Sequence, residues 1–180
     1  MRPVLKLAAV LAVAAAGLSA CSGPSLQDPS LSTRTFNLEE YFEGTSVAYG
    51  QFQDRFGTVR QRFTVDLVGT WDGEKLTLVE DFIYDDGRTE QRIWELTKTG
   101  EDRWEGTAAG VQGIARGQER GDTFNWGYTI DLPLANGKTQ RVTFDDWMWL
   151  MEDGRMLNKA IMSRFGVRLG EVTIFFEKTS

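Results

Sequence analysis

Asp145-Asp146-Trp147-Met148-Trp149 is the densest cluster of chemistry-bearing side chains in the sequence, two adjacent carboxylates followed at once by indole rings. An inward carboxylate walled by Trp126 and Trp147 loses hydration, which raises its pKa and suits it to act as a general base, with Tyr128 as proton donor. Glu80, Arg92 and Asn158 are further polar residues set within strand-like apolar patterns. Neither a nucleophile nor an oxyanion hole accompanies them, so orientation of a ligand by hydrogen bonds is the plainer chemistry, with a satisfied core network as its alternative. The chain contains no histidine, which removes His-based triads, HExxH zinc sites and His relays. P-loop and GxGxxG patterns are absent too. The acidic pairs Glu39-Glu40, Asp85-Asp86 and Glu152-Asp153 suit solvated turns or caps, because calcium needs more converging oxygens. No cofactor and no metal are expected.

The elements that must position these groups are strands. From Phe36 the chain runs as short alternating segments separated by Asp72-Gly73, Asp86-Gly87, Thr99-Gly100, Asn136-Gly137 and Asp153-Gly154, the pattern of an antiparallel meander. The period is two, plainest where Phe124, Trp126, Tyr128, Ile130 and Leu132 alternate with Thr123, Asn125, Gly127, Thr129 and Asp131. One face is therefore packed and the other wet. About nine or ten strands after residue 45, with no long helix, predict an all-β, up-and-down antiparallel barrel, since closure removes the exposed edges. Gly110, Gly113, Gly117 and Gly121 suit bends in the barrel wall. A barrel of eight strands holds side chains or one small ligand, and nine or ten leave more room unless aromatic bulk fills it.

Turn chemistry predicts registers. A two-residue turn at Asp72-Gly73 pairs Trp71 with Glu74, Leu67 with Leu78 and Phe63 with Phe82. A type I turn with a G1 bulge at Asp85-Asp86-Gly87 pairs Tyr84 with Arg88, Leu78 with Trp94 and Leu76 with Leu96. That register sets Glu80 opposite Arg92 on the inner face, where a hydrogen-bonded ion pair either fixes register or anchors the floor of a ligand cavity. Across Asn136-Gly137, Tyr128 falls opposite Asp145 or, with a loop one residue longer, opposite Asp146; either way one aspartate faces inward. Asn158 then lies close to Met148 or Trp149. The candidate ligand-binding residues are Glu80, Arg92, Trp94, Trp126, Tyr128, Asp145, Asp146, Trp147 and Asn158.

Leu18-Ser19-Ala20-Cys21, behind Arg2, Lys6 and an uncharged apolar stretch over residues 7–18, resembles the lipobox of bacterial lipoproteins. The stretch is too short to span a bilayer as a mature helix. The resemblance implies cleavage after residue 20 and lipidation of Cys21, the only cysteine in the 180 residues, with acyl chains of the palmitate kind. At about 0.8 kcal/mol per buried CH₂, several such chains hold a protein to a bilayer almost irreversibly. Ser22 in place of an aspartate favours the outer membrane, facing the periplasm. Loss of Arg2 and Lys6 with the leader leaves 18 of the 20 basic side chains against 26 acidic ones, a formal charge of about −8 in place of −6. Nucleic acid is not expected as a partner of so acidic a chain. Residues 21–35, with Pro24 and Pro29 among polar neighbours, read as a flexible tether, and residues 36–180 as one domain, expected to be monomeric.

The segment from Phe36 to Thr45 resembles the opening of lipocalins, in which a short helical turn closes the barrel base; Ser46 stands where their Gly-x-Trp places tryptophan. Gly50-Gln51-Phe52-Gln53-Asp54-Arg55-Phe56-Gly57, Glu80-Asp81-Phe82-Ile83-Tyr84-Asp85-Asp86-Gly87, Phe144-Asp145-Asp146-Trp147-Met148, Asn158 and Phe165-Gly166-Val167 together resemble the DUF3833 family of bacterial lipoproteins. That resemblance implies a family and no reaction. The expected function is binding of an apolar or amphipathic molecule, a fatty acid or lipid, in a barrel cavity. A filled, non-catalytic barrel serving as an envelope interaction module is the alternative, and a cofactor-independent isomerase or cyclase a further one.

Overall fold

Alternation of inward apolar and outward polar residues builds ten strands: β1 (Gly44–Asp54), β2 (Val59–Trp71), β3 (Lys75–Tyr84), β4 (Thr89–Gly100), β5 (Arg103–Ala108), β6 (Ala115–Arg120), β7 (Thr123–Pro133), β8 (Thr139–Leu150), β9 (Met156–Arg164) and β10 (Val167–Lys178). The computed structural model describes residues 23–133 and 137–179. Cys21, the apolar leader and Asn136 lie outside the described residues. Each strand pairs antiparallel with its sequence neighbour, and β1 with β10 from Ser46↔Lys178 to Asp54↔Gly170, closing the barrel. Closure satisfies the backbone donors and acceptors of both terminal strands and leaves no open edge. The expected meander and strand count are thus observed.

Two expected registers change. Trp71 pairs with Leu76, Leu67 with Glu80 and Phe63 with Tyr84, because the Asp72–Lys75 connection is a wider turn in which Asp72 Oδ1 accepts from the Glu74 and Lys75 amides at 2.9 and 2.7 Å. The slip is two residues, so every side chain keeps its face. At the β7–β8 connection Tyr128 pairs with Phe144 and Trp126 with Asp146. The last pair among the described residues at this connection is Pro133↔Thr139. The register across Asp85-Asp86-Gly87 is the expected one, with Leu76↔Leu96, Leu78↔Trp94 and Glu80↔Arg92.

One end of the barrel is plugged. The short helix α1 (Leu38–Phe42) buries Leu38, Tyr41 and Phe42, and five residues are too few to be helical without such packing. Its first amide, Leu38 N, donates to Glu119 Oε1 at 2.6 Å. At its other end the Lys178 ammonium donates to the Glu40, Tyr41 and Glu43 carbonyls at 3.0, 3.3 and 2.7 Å, satisfying orphan acceptors. Lys98 ion-pairs with Glu39 of the helix. Gly69 makes the approach possible: a Cβ there would stand 1.9 Å from the Phe42 carbonyl oxygen. Behind the helix Phe36, 1% exposed, stacks on Tyr41 and Phe124 with ring centroids 5.9 Å apart in each pair.

The segment preceding α1 is tied to the same end. Leu31 and Ser32 amides donate to Asp122 Oδ2 at 2.8 and 2.7 Å, and Glu152 accepts from Ser32 Oγ, Thr33 N and Thr33 Oγ1. Phe36 N donates to the Gly121 carbonyl at 2.8 Å. Residues 31–36 thus form a strap across the plugged end.

Candidate functional site

The barrel interior above α1 holds a cavity of about 420 Å³. Its floor is Leu38 and Phe42 of α1, and it extends along the barrel axis to Phe52, Gln61 and Pro133 near the opposite rim. Aromatic side chains make much of its wall. Trp94 meets Trp126 and Tyr128 edge-on with centroids 5.8 and 5.1 Å apart, and Tyr128 stacks on Phe144 at 5.2 Å. Gly117 leaves room for these rings, because a Cβ there would lie 2.4 Å from Trp126 and 2.5 Å from Phe124. It serves ring packing rather than a bend in the wall.

Five polar side chains interrupt this apolar lining at mid-height. Glu80 on β3 and Arg92 on β4 are directly cross-strand neighbours, while Tyr128 on β7, Asp146 on β8 and Asn158 on β9 line the opposite wall. Asn158, 1% exposed, donates through Nδ2 to Asp146 Oδ1 and to the Trp147 carbonyl. Glu80 and Tyr128 are enclosed by the barrel yet keep surface open to the cavity. Seven of the nine expected residues therefore line one chamber: Glu80, Arg92, Trp94, Trp126, Tyr128, Asp146 and Asn158.

Asp145 and Trp147 do not. The register Trp126↔Asp146 turns the odd positions of β8 outward. There Asp145 accepts from Asn125 Nδ2 at 2.9 Å. Trp147 stacks on Trp149 at 6.3 Å, its indole N–H buried with no partner among the described residues. The expected Glu80–Arg92 ion pair is also loosened: Arg92 Nη2 donates to Glu90 Oε1 at 2.6 Å, and its guanidinium lies 5.1 Å over the Phe82 ring. Glu90, in turn, accepts from the Tyr84 hydroxyl at 2.9 Å. Glu90 is the group the site gains beyond expectation, and the signal for it is position: two residues before Arg92 on one strand is the same face.

Residues 15–178 match the model of a family described as "Protein of unknown function (DUF3833)". The chain belongs to the DUF3833 family. No curated protein matches it. Among solved structures the barrel is similar to the S-type phycobiliprotein lyase CPES from Guillardia theta, with 11% identity, a TM-score of 0.58, and coverage of 78% of this chain and 90% of that one. The likeness is one of fold, and it makes this DUF3833 domain a lipocalin-like barrel with ten strands.

Electrostatics inside the DUF3833 barrel follow from burial. Loss of water pushes Asp146 up to about 7, against the pull of its Asn158 hydrogen bond and aided by Asp145. Burial likewise pushes Glu80 up to about 7, with Arg92 pulling down and Asp146 and Glu90 pushing further up. The Tyr128 phenol is raised well above its ordinary value, by burial first and then by Asp146, so it stays protonated. Burial opposes the charge on Arg92, but Glu80, Tyr128 and Glu90 outweigh it and hold its pKa above the ordinary value. The chamber can hold an apolar body, offer acceptors to a polar head, and exchange a proton near neutrality at Asp146 or Glu80.

Proposed function

We propose that this DUF3833 protein is a lipoprotein of the outer membrane, facing the periplasm through acylated Cys21, whose barrel binds an apolar or amphipathic molecule of the fatty-acid or lipid class. One observation carries the ligand reading. A chamber of about 420 Å³, walled by aromatic and aliphatic side chains, contains Glu80, Arg92, Tyr128, Asp146 and Asn158 rather than more core. Charged groups inside a fold that needs them only for packing are destabilising against well-packed apolar replacements, whereas a few placed polar groups in an apolar pocket are the ordinary form of a small-molecule site. A filled barrel acting only as an interaction module has no use for this space. The anchor reading rests on the lipobox resemblance at residues 18–21.

Native mass spectrometry of the purified full chain against a panel of lipids tests the ligand reading. Retention of a lipid mass is expected, and an empty protein across the whole panel contradicts it. For the anchor, Cys21→Ser is expected to abolish incorporation of a labelled acyl chain and to release the protein from the outer-membrane fraction; continued labelling contradicts it.

A second reading, a cofactor-independent isomerase or cyclase, is favoured by one feature: Asp146, near neutral pKa, shares a wall with a protonated Tyr128. Loss of turnover in Asp146→Asn with the fold and ligand binding intact is its test.

A further inference from the structure

The walls of the chamber differ in what they leave free. Glu80 and Asp146 stand on β3 and β8, five steps apart in a ring of ten strands, and so face each other across the barrel. The nitrogen donors beside them are engaged with the protein itself, and the Tyr128 hydroxyl is the donor left over. Asn158 uses its amide nitrogen on Asp146 Oδ1 and on the Trp147 carbonyl. Arg92, the one cation among the described residues that line the chamber, is held by Glu90 at 2.6 Å and by the Phe82 ring. The acceptors are only partly spent: Asn158 engages one oxygen of Asp146, the Trp94 side chain hydrogen-bonds to Glu80, and Arg92 makes its close contact to Glu90 rather than Glu80. The Tyr128 hydroxyl takes no hydrogen-bond partner among the described residues.

We infer that the head group this chamber selects is a hydrogen-bond donor, most favourably a protonated primary amine on a hydrocarbon body, and that it discriminates against the carboxylate of a fatty acid. This rests on the ligand reading above and narrows it, from fatty acids and lipids at large to amphiphiles with a donor head group. An ammonium between Glu80 and Asp146 has three donors for carboxylate oxygens and neutralises two like charges that face each other through a medium of low polarity. A carboxylate in the same place adds a third negative charge, and the Arg92 guanidinium is already paired with Glu90. The tail then lies along Trp94, Trp126 and Phe144, with the Leu38 and Phe42 floor limiting its depth. Glu80 and Asp146 both titrate at about 7, so above neutrality both are available in the charged form that an amine requires.

The test holds the tail constant and varies the head. Dodecylamine, dodecanol and dodecanoate, each below its micelle concentration, are titrated into the purified full-length protein at about pH 8, with binding read by calorimetry. The amine is expected to bind at least about tenfold more tightly than the carboxylate, with the alcohol between them. In Glu80→Gln/Asp146→Asn the amine's advantage is expected to shrink below about threefold, with circular dichroism confirming the fold. Dodecanoate binding as tightly as or more tightly than dodecylamine overturns the inference and leaves the ligand reading intact. Failure of all three to bind overturns the ligand reading and this inference with it. The ranking in the unsubstituted protein decides the matter even if the double variant does not fold.

Discussion

The plugged end of the barrel and its middle are built from the same alternating strands, yet one is solid and the other hollow. At the plugged end Phe36, Phe42, Trp104, Phe124, Leu76 and Met156 are all at most 3% exposed. There α1 occupies the width that ten strands leave open, and Gly69 allows its backbone to seat against β2. Midway along the axis no such filler enters, and the inward positions of five strands carry Glu80, Arg92, Tyr128, Asp146 and Asn158. Period-two patterning decides which side chains point inward; whether they meet depends on barrel width and on what else enters.

The largest expected consequence of that contrast concerns packing. Phe36→Ala removes a ring held between Tyr41 and Phe124 and is expected to destabilise the protein by about 3–5 kcal/mol in denaturant titrations, whereas truncations on the chamber wall cost less because part of the ring already borders open space. A loss at Phe36 no greater than that for Phe144→Ala would show that the plugged end is not the more tightly packed region.

Next comes the response to pH. Glu80 and Asp146 rise from 4.5 and 3.8 to about 7 in the folded protein, so the native state binds protons more tightly than the unfolded chain. Their contribution is fully present below about pH 4 and is lost as pH rises from there through about 7, on the order of a few kcal/mol over that span. Carboxylates held low at the surface, such as Asp54, Asp131 and Asp153, act the other way and only at lower pH. Asp146→Asn is expected to flatten the slope; a stability that rises across this window contradicts the burial of both groups.

Much of this contrast can be read from the sequence, and the gaps have physical causes. The Glu80↔Arg92 pairing follows from one turn type, and the two-residue error at Asp72-Gly73 is harmless because an even slip preserves faces. Choosing between Asp145 and Asp146 required the length of the β7–β8 connection, which composition does not set, and the same uncertainty put Trp147 inside when it lies outside. The partner of Arg92 was missed because two carboxylates, Glu80 across the strand and Glu90 along it, compete for one guanidinium. The strap takes in residues 31–35 of the expected tether: its ties are backbone amides donating to Asp122 and Glu152, about ninety to 120 residues away, and such contacts leave no periodic trace.

Smaller effects separate the two walls further. Tyr128→Phe is expected to change stability by less than about 1 kcal/mol, since its hydroxyl has no partner among the described residues to lose, while weakening any ligand that uses that hydroxyl. Asp145→Asn, on the outer face, is expected to stay within about 0.5 kcal/mol of the parent and to leave ligand affinity unchanged; a clear loss of affinity there would place the site on the wrong side of the sheet.

The central claim is that the hollow middle, and not the plugged end, receives the ligand. It is tested most directly by tryptophan quenching with a dodecyl amphiphile brominated along its chain, read in variants that retain Trp94 and Trp126 alone or Trp71 and Trp104 alone. Strong quenching of the Trp94/Trp126 emission with little change at Trp71 and Trp104 is the predicted result. Equal quenching of both pairs, or quenching confined to Trp71 and Trp104, would contradict it.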